Sequence, residues 1–242
     1  MAFLKQIEIL TAIESLKENY FGYSSALKVL AELEPLVDVG LIPELIRTRQ
    51  GFPKDRSLES YNHRLKTAIG IARKETNGGL SFLASMCIIA LCSFLENAIT
   101  EVVAQEVAQN PEKWKNYPKS LEAEVMRKST GKIDSLNDAR RRVKKQHESK
   151  QGNAFSKLLS LLNDVGWALD LEPASCQTLQ EMYEVRNVIV HCGARVDDRL
   201  KRKVIKFEAA EIGAVMALNE EQFRIYLAAA DHFVGASICS QI

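Results

Sequence analysis

The stretch Glu184-Val185-Arg186-Asn187-Val188-Ile189-Val190-His191-Cys192-Gly193 holds the side chains best suited to act on a phosphate. A guanidinium such as that of Arg186 grips two nonbridging oxygens at once, and an imidazole such as that of His191 moves a proton near neutral pH. Leu179, Met182, Tyr183, Ile189 and Val190 mark the buried face of a helix, and position 186 falls on that face, where an apolar residue is expected. Burying a guanidinium alone is costly, so Arg186 must either pair with an acid from another helix or line an internal cleft. Glu184, Asn187 and His191 lie at i, i+3 and i+7 on a neighbouring stripe, which lets Asn187 or Glu184 orient the imidazole. His191 occupies the last turn before Gly193, where the helix dipole favours the imidazolium.

On a straight helix five residues place Arg186 and His191 roughly 140° apart. One helix therefore does not juxtapose them, whereas a cleft shared with a symmetry mate, or a distortion at the helix end, lets both converge on one phosphate. RNA brings its own nucleophile, the 2′-OH, so a protein that cleaves it needs only a proton acceptor or donor and a cation for the phosphorane charge. Arg186 suits the nonbridging oxygens, and His191 suits proton transfer or leaving-group stabilisation. The plainer alternative makes Arg186 a buried tie between helices and His191 a capping residue. His63, His147 and His232 lack partner spacing and read as surface or satisfied core residues, and Cys192 reads as structural. With no Gly-rich phosphate loop, serine elbow or metal cluster, neither a cofactor nor a metal is expected.

These groups need a helical scaffold, and the composition supplies one. The chain has 242 residues, 46% hydrophobic and 26% charged, with a net charge of +1 and only 12 glycines and 6 prolines. That balance excludes a disordered polyelectrolyte and favours an all-α fold. Leu4, Ile7, Leu10, Ile13 and Leu16, then Leu27, Leu30 and Leu33 before Pro35, predict two amphipathic N-terminal helices; Pro43 and Gly51-Phe52-Pro53 mark turns. Ser57 to Lys74 reads as a half-exposed helix ending near Gly78-Gly79. A long apolar helix from about Leu80 to Gln109 follows, stopped by Asn110-Pro111, and its first half belongs at the centre of the core. Its uncharged stretch approaches bilayer-spanning length, but the polar residues at its start and its serines favour a buried helix, so no membrane partner is expected. Helices over Ala154–Leu169 and Ser175–His191 come next. Val204-Ile205-Lys206-Phe207 and Ile212–Leu218 suggest a small β-hairpin, and Asn219 with Gln222 starts a last helix with Phe223, Tyr226, Leu227, Ala230, Phe233, Val234 and Ile238 on its apolar stripe.

Charge is segregated along the chain. Residues 127–150 carry nine Lys or Arg and a net +6, and residues 195–206 a net +4. The first run, through Arg140, Arg141, Arg142, Lys144 and Lys145, is the expected RNA-backbone contact. The odd number of cysteines (5) without C-x-x-C spacing, and charges that interrupt the apolar N-terminus, point to a reducing cytoplasm rather than secretion.

The Arg186-Asn187-x-x-x-His191 run with trailing Gly193, Val196 and Asp197, after a long apolar helix, resembles the HEPN superfamily in its R-x4-H form, over roughly residues 57–240. The resemblance implies an antiparallel bundle of four to five helices that pairs about a twofold axis. It implies a metal-independent endoribonuclease working in a toxin–antitoxin or antiphage setting, with RNA, a second copy and an antitoxin or defence protein as partners. Arg186, His191 and Asn187 would be catalytic, with Glu184 supporting them and Glu96 or Asn97 matching the polar position on the family's second helix. A non-catalytic HEPN-like module that binds RNA or protein is the alternative. Residues 1–56 would then be an N-terminal helical extension and 127–150 a basic insert in a 57–242 domain.

Overall fold

The computed structural model describes residues 2–33, 35, 58–110, 136–167 and 169–239. The turns expected at Pro43 and at Gly51–Pro53, the Pro111 stop, and Arg127, Lys128 and Lys132 of the first basic run lie outside them. Eight α-helices occur among the described residues, without strands: α1 Ala2–Glu32, α2 Leu58–Asn77, α3 Ser81–Gln109, α4 Leu136–Ser149, α5 Ala154–Asp164, α6 Pro173–Cys192, α7 Asp198–Lys203 and α8 Glu220–Cys239.

The all-α expectation holds, and α3 is its axis. Twelve α3 residues, from Ala84 to Val107, are buried, and α1, α4, α5, α6 and α8 all pack on it. By length and composition α3 could cross a membrane, and 44% of its most apolar window is buried inside the bundle. Its start is set by a chain reversal in which Gly79 (φ 71°) and Leu80 (φ 62°) both turn left-handed. That conformation costs glycine little and leucine more, and Leu80 offsets it by burying all but 3% of its surface. The carboxylate of Glu75 reaches forward to accept from the Leu83 N–H at 2.8 Å and so caps the helix.

The N-terminal segment forms one 31-residue helix rather than two. No proline falls between Leu16 and Leu27, and the cost of Gly22 inside the helix, about 1 kcal/mol, is offset by Tyr20. Tyr20 is fully buried with its ring 4.3 Å from that of Phe223 on α8. Helix α5 ends at Asp164, earlier than the apolar pattern suggested, because Gly166 (φ 83°) turns the chain and Trp167 N–H closes onto the Leu162 carbonyl at 2.9 Å. The expected hairpin is absent. Ile205–Phe207 is a single 3-10 turn, and Val215 pairs instead with Arg195 in an isolated antiparallel bridge. Val204 and Phe207 are buried three residues apart, at the spacing of a 3-10 turn, with Ile205 and Lys206 exposed between them.

Where it is described, the basic run forms α4, which contributes one face to the bundle. Ala139, Arg142, Val143 and Gln146 of α4, at helical spacing, are buried against the bundle.

Candidate functional site

Helix α6 starts at Pro173 and ends where Gly193 turns left-handed (φ 60°), its N–H bonded to the Val188 carbonyl. This stop places His191 in the last turn, exposed, and Arg186 about a turn and a half deeper, half-buried. Arg186 Nη1 donates to Asn187 Oδ1 at 3.1 Å, and its Nε is buried with no hydrogen-bond partner. Among the described residues Arg186 forms no salt bridge; its positive charge instead acts on Cys92 and Glu96 of α3 and on Tyr183. Burial pushes the Glu96 carboxyl above its ordinary range, and Arg186 pulls it back toward ionisation. The buried Tyr183 hydroxyl donates to the Cys92 carbonyl at 3.3 Å and so fixes the spacing of α3 and α6 at this point.

Arg186, Asn187 and Glu96 are therefore neighbours in one environment. His191 lies around the helix from Arg186, and neither Asn187 nor Glu184 bonds its ring: Asn187 accepts from Arg186, and Glu184 faces α7. Glu184 is only 3% exposed and takes Arg199 Nε at 2.9 Å, Arg199 Nη2 at 3.2 Å and Lys203 Nζ at 2.7 Å. Burial alone would raise its carboxyl; the bonds from Arg199 and Lys203 outweigh that and hold it below the usual carboxylate range. Helix α7 is capped by Asp197, whose Oδ1 accepts from Leu200 N–H at 2.7 Å and whose Oδ2 takes the Cys192 thiol at 3.6 Å. Desolvation, with Asp197 beside it, pushes that thiol up, the reverse of an activated nucleophile.

Residues 55–211, from just before α2 through α7 and including the Arg186–His191 run, match the model of the RiboL-PSP-HEPN family. The chain belongs to this HEPN family. Neither the comparison with curated proteins nor that with solved structures found a match. Membership supports a function of the general ribonuclease or RNA-binding kind.

In this HEPN chain, Glu96 and Asn97, chosen from the sequence by relative order alone, also line a cleft of about 640 Å³ between α3 and α4. The basic residues expected to meet RNA behave differently from one another. Arg140 forks onto Glu101 of α3 at 2.7 and 2.6 Å, Arg141 pairs with Asp138 of its own helix at 2.6 Å, and Arg142 is 7% exposed. Lys144 is exposed at the cleft and Lys145 half-buried. His147, dismissed at the sequence level, lines the same cleft with its Nε2 buried and without a partner. Burial, then Lys157, hold its ring below the ordinary histidine value. Its spacing carried no signal; only the packing of α4 against its neighbours creates that environment. His232 meets Ser175 Oγ at 2.9 Å, and His63 is exposed.

Proposed function

We propose that this HEPN chain is a metal-independent endoribonuclease in which two copies place Arg186 and His191 in one cleft and the RNA 2′-OH attacks the adjacent phosphate. The observation that carries this reading is the unspent charge of Arg186. Arg140, Arg199 and Arg224 sit in salt bridges with Glu101, Glu184 and Glu220, whereas Arg195, also without an acid partner among the described residues, is exposed to solvent. Arg186 has only the neutral Asn187 oxygen, and its Nε is buried and unpaired. A guanidinium kept half-buried and uncompensated costs stability, and a phosphate is the anion that repays it. Asn187 accepts one bond from the guanidinium, and Glu96 lies near enough to feel its charge without forming a salt bridge to it.

A second copy answers the angular separation of Arg186 and His191 on one helix, and Phe82 and Met86 of α3 with Val190 of α6 are apolar residues at least 47% exposed. The setting that goes with this reading is a toxin–antitoxin or antiphage system in the cytoplasm, with an antitoxin or defence protein as partner. The free thiols of Cys87, Cys92, Cys176 and Cys192 suit that compartment.

Incubation of the dimeric protein with RNA in EDTA tests this. Cleavage should persist, leave 2′,3′-cyclic phosphate ends, and fall about 10²–10⁴-fold in His191→Ala with the melting temperature unchanged. His191 is the cleaner probe, because Arg186→Ala also empties a half-buried position. Wild-type rates in His191→Ala sink the assignment; RNA bound but left intact makes the chain a non-catalytic binding module.

A further inference from the structure

Resting on the RNA reading above, we propose that the Arg199–Lys203 edge of α7, held in place by the buried carboxylate of Glu184, is a phosphate-binding subsite that carries the RNA strand past the motif. A helix-to-helix tie needs one cation for one carboxylate. Here two are spent on one: Glu184 is almost wholly buried, while the side chains of Arg199 and Lys203 above it stay 51% and 44% exposed. Asp197 at the start of α7 also acts on Arg199, and with Arg195 in the joining turn the edge still keeps one positive charge over Glu184 and Asp197. Arg199 uses Nε and Nη2 on Glu184, which leaves its Nη1 amino group for a ligand, and Lys203 uses one of its three donors. The buried anion fixes both cations before any ligand arrives, so little side-chain freedom is lost on binding.

Position decides which anion this serves. Glu184 and His191 share a stripe of α6 two turns apart, about 10 Å along the axis, a span of a few nucleotides of strand. Arg195, in the turn joining α6 to α7, adds an uncompensated charge, since its Nη1 bonds only to the Gly213 carbonyl at 2.9 Å. Lys201 and Arg202, by contrast, line a shallow cleft with Asp198 and Glu208, whose two acids offset them. The phosphate edge is thus the Glu184 side of α7, on the α6 stripe that His191 shares and across that helix from Arg186, and not its outer side.

Fluorescence anisotropy tests this on the full chain with a 2′-O-methyl oligouridylate of about twelve nucleotides, which cannot be cleaved by 2′-OH attack. Each single-strand phosphate contact contributes about 0.7 to the slope of log affinity against log salt; one carboxylate under two cations leaves one charge for phosphate, so losing the cluster should lower the slope by about 0.7 and the affinity roughly 5-fold at 0.1 M salt. Arg199→Gln with Lys203→Gln leaves Glu184 buried and unpaired, so the decisive variant adds Glu184→Gln and keeps the cluster neutral. Arg195→Gln should lower the slope by about 0.7. An unchanged slope in the triple variant, or no salt-dependent binding by wild type, overturns the proposal. So does displacement of the oligomer by inorganic phosphate at equal phosphate concentration, which would make the edge a free-anion site. Weakened binding in the triple variant beside a wild type that cleaves nothing keeps this subsite and removes the nuclease; cleavage with an unchanged slope does the reverse.

Discussion

Helices α4 and α7 are both dense in cations, and they use them in opposite ways. On α4 the arginines are spent inside the protein: Arg140 on Glu101, Arg141 on Asp138, and Arg142 in the interior, while Lys150 just beyond the helix pairs with Asp164 at 2.7 Å. On α7 one buried acid is overmatched by two half-exposed cations. Of the longer run, with a net +6 in sequence, Arg140, Arg141 and Lys150 are each matched by a carboxylate of the protein. Charge counted along a chain measures how many cations are present; the acids that fold against them determine how many remain for a polyanion.

The largest expected effect that tests this contrast is on stability. Removing both cations from α7 strands a buried carboxylate, so Arg199→Ala with Lys203→Ala should destabilise the chain by about 2–3 kcal/mol, below the 3–5 of a fully enclosed pair because both cations are half-exposed. Glu184→Gln in that background should restore much of the loss. Urea unfolding reads both. No rescue would mean that the α7 side chains stabilise by packing, and the comparison would fail on its stronger side.

Acid separates the two helices next. His147 on α4 has a folded value below the ordinary 6.5, so the stability that depends on its neutral ring is present above pH 6.5 and is lost as pH falls through the folded value. Glu184 has a folded value below the ordinary 4.5, so its contribution is present above pH 4.5 and is lost only as pH falls through that lower value. On acidification α4 should loosen first and α7 should hold, as amide exchange resolved along the chain would show. His147→Gln should remove the earlier loss and leave the later one. Simultaneous loss in both helices would mean that His147 is not the group that titrates.

Much of this architecture was legible in the residue pattern, because local signals decided it. The expected bounds Leu80 and Gln109 fall within a residue of the observed ends of α3, and Gly193 stops α6 where a left-handed cap was needed. Asn219 caps α8 through the Gln222 N–H at 2.9 Å, although the Gln222 side chain turns to Glu181 instead of completing the box. What was not legible depends on contacts distant in sequence. Glu101 lies 39 residues from Arg140, so neutralisation of the basic run was invisible before α3 and α4 were seen side by side. Glu184 looked like a partner for His191 because stripe position on α6 was known and the place of α7 was not. The local strand signal at Val204–Phe207 failed for the same reason: it reports burial, and burial came from the bundle. The proximity of Glu96 to the charge of Arg186 followed from order along the chain but needed the α3–α6 crossing to become physical.

The smallest expected effect lies within α4 itself and decides whether its arginines count as neutralised at all. Arg140 grips Glu101 with two bonds across to α3, whereas Arg141, with its side chain 75% exposed, meets Asp138 within one turn. Exposed pairs are screened by salt over about 8 Å at physiological ionic strength, and a pair within one helix adds little to tertiary stability. Arg140→Gln should therefore lower the melting temperature slightly and Arg141→Gln less, with both differences vanishing in 1 M salt. Neither should change the salt slope of oligouridylate binding, because a cation matched one for one by a protein carboxylate neutralises no phosphate and so releases none of the RNA's counterions. A fall of about 0.7 in slope for Arg141→Gln would show that Asp138 yields its partner to phosphate. In that outcome α4 joins α7 as an RNA-facing surface, and the contrast between them becomes one of degree.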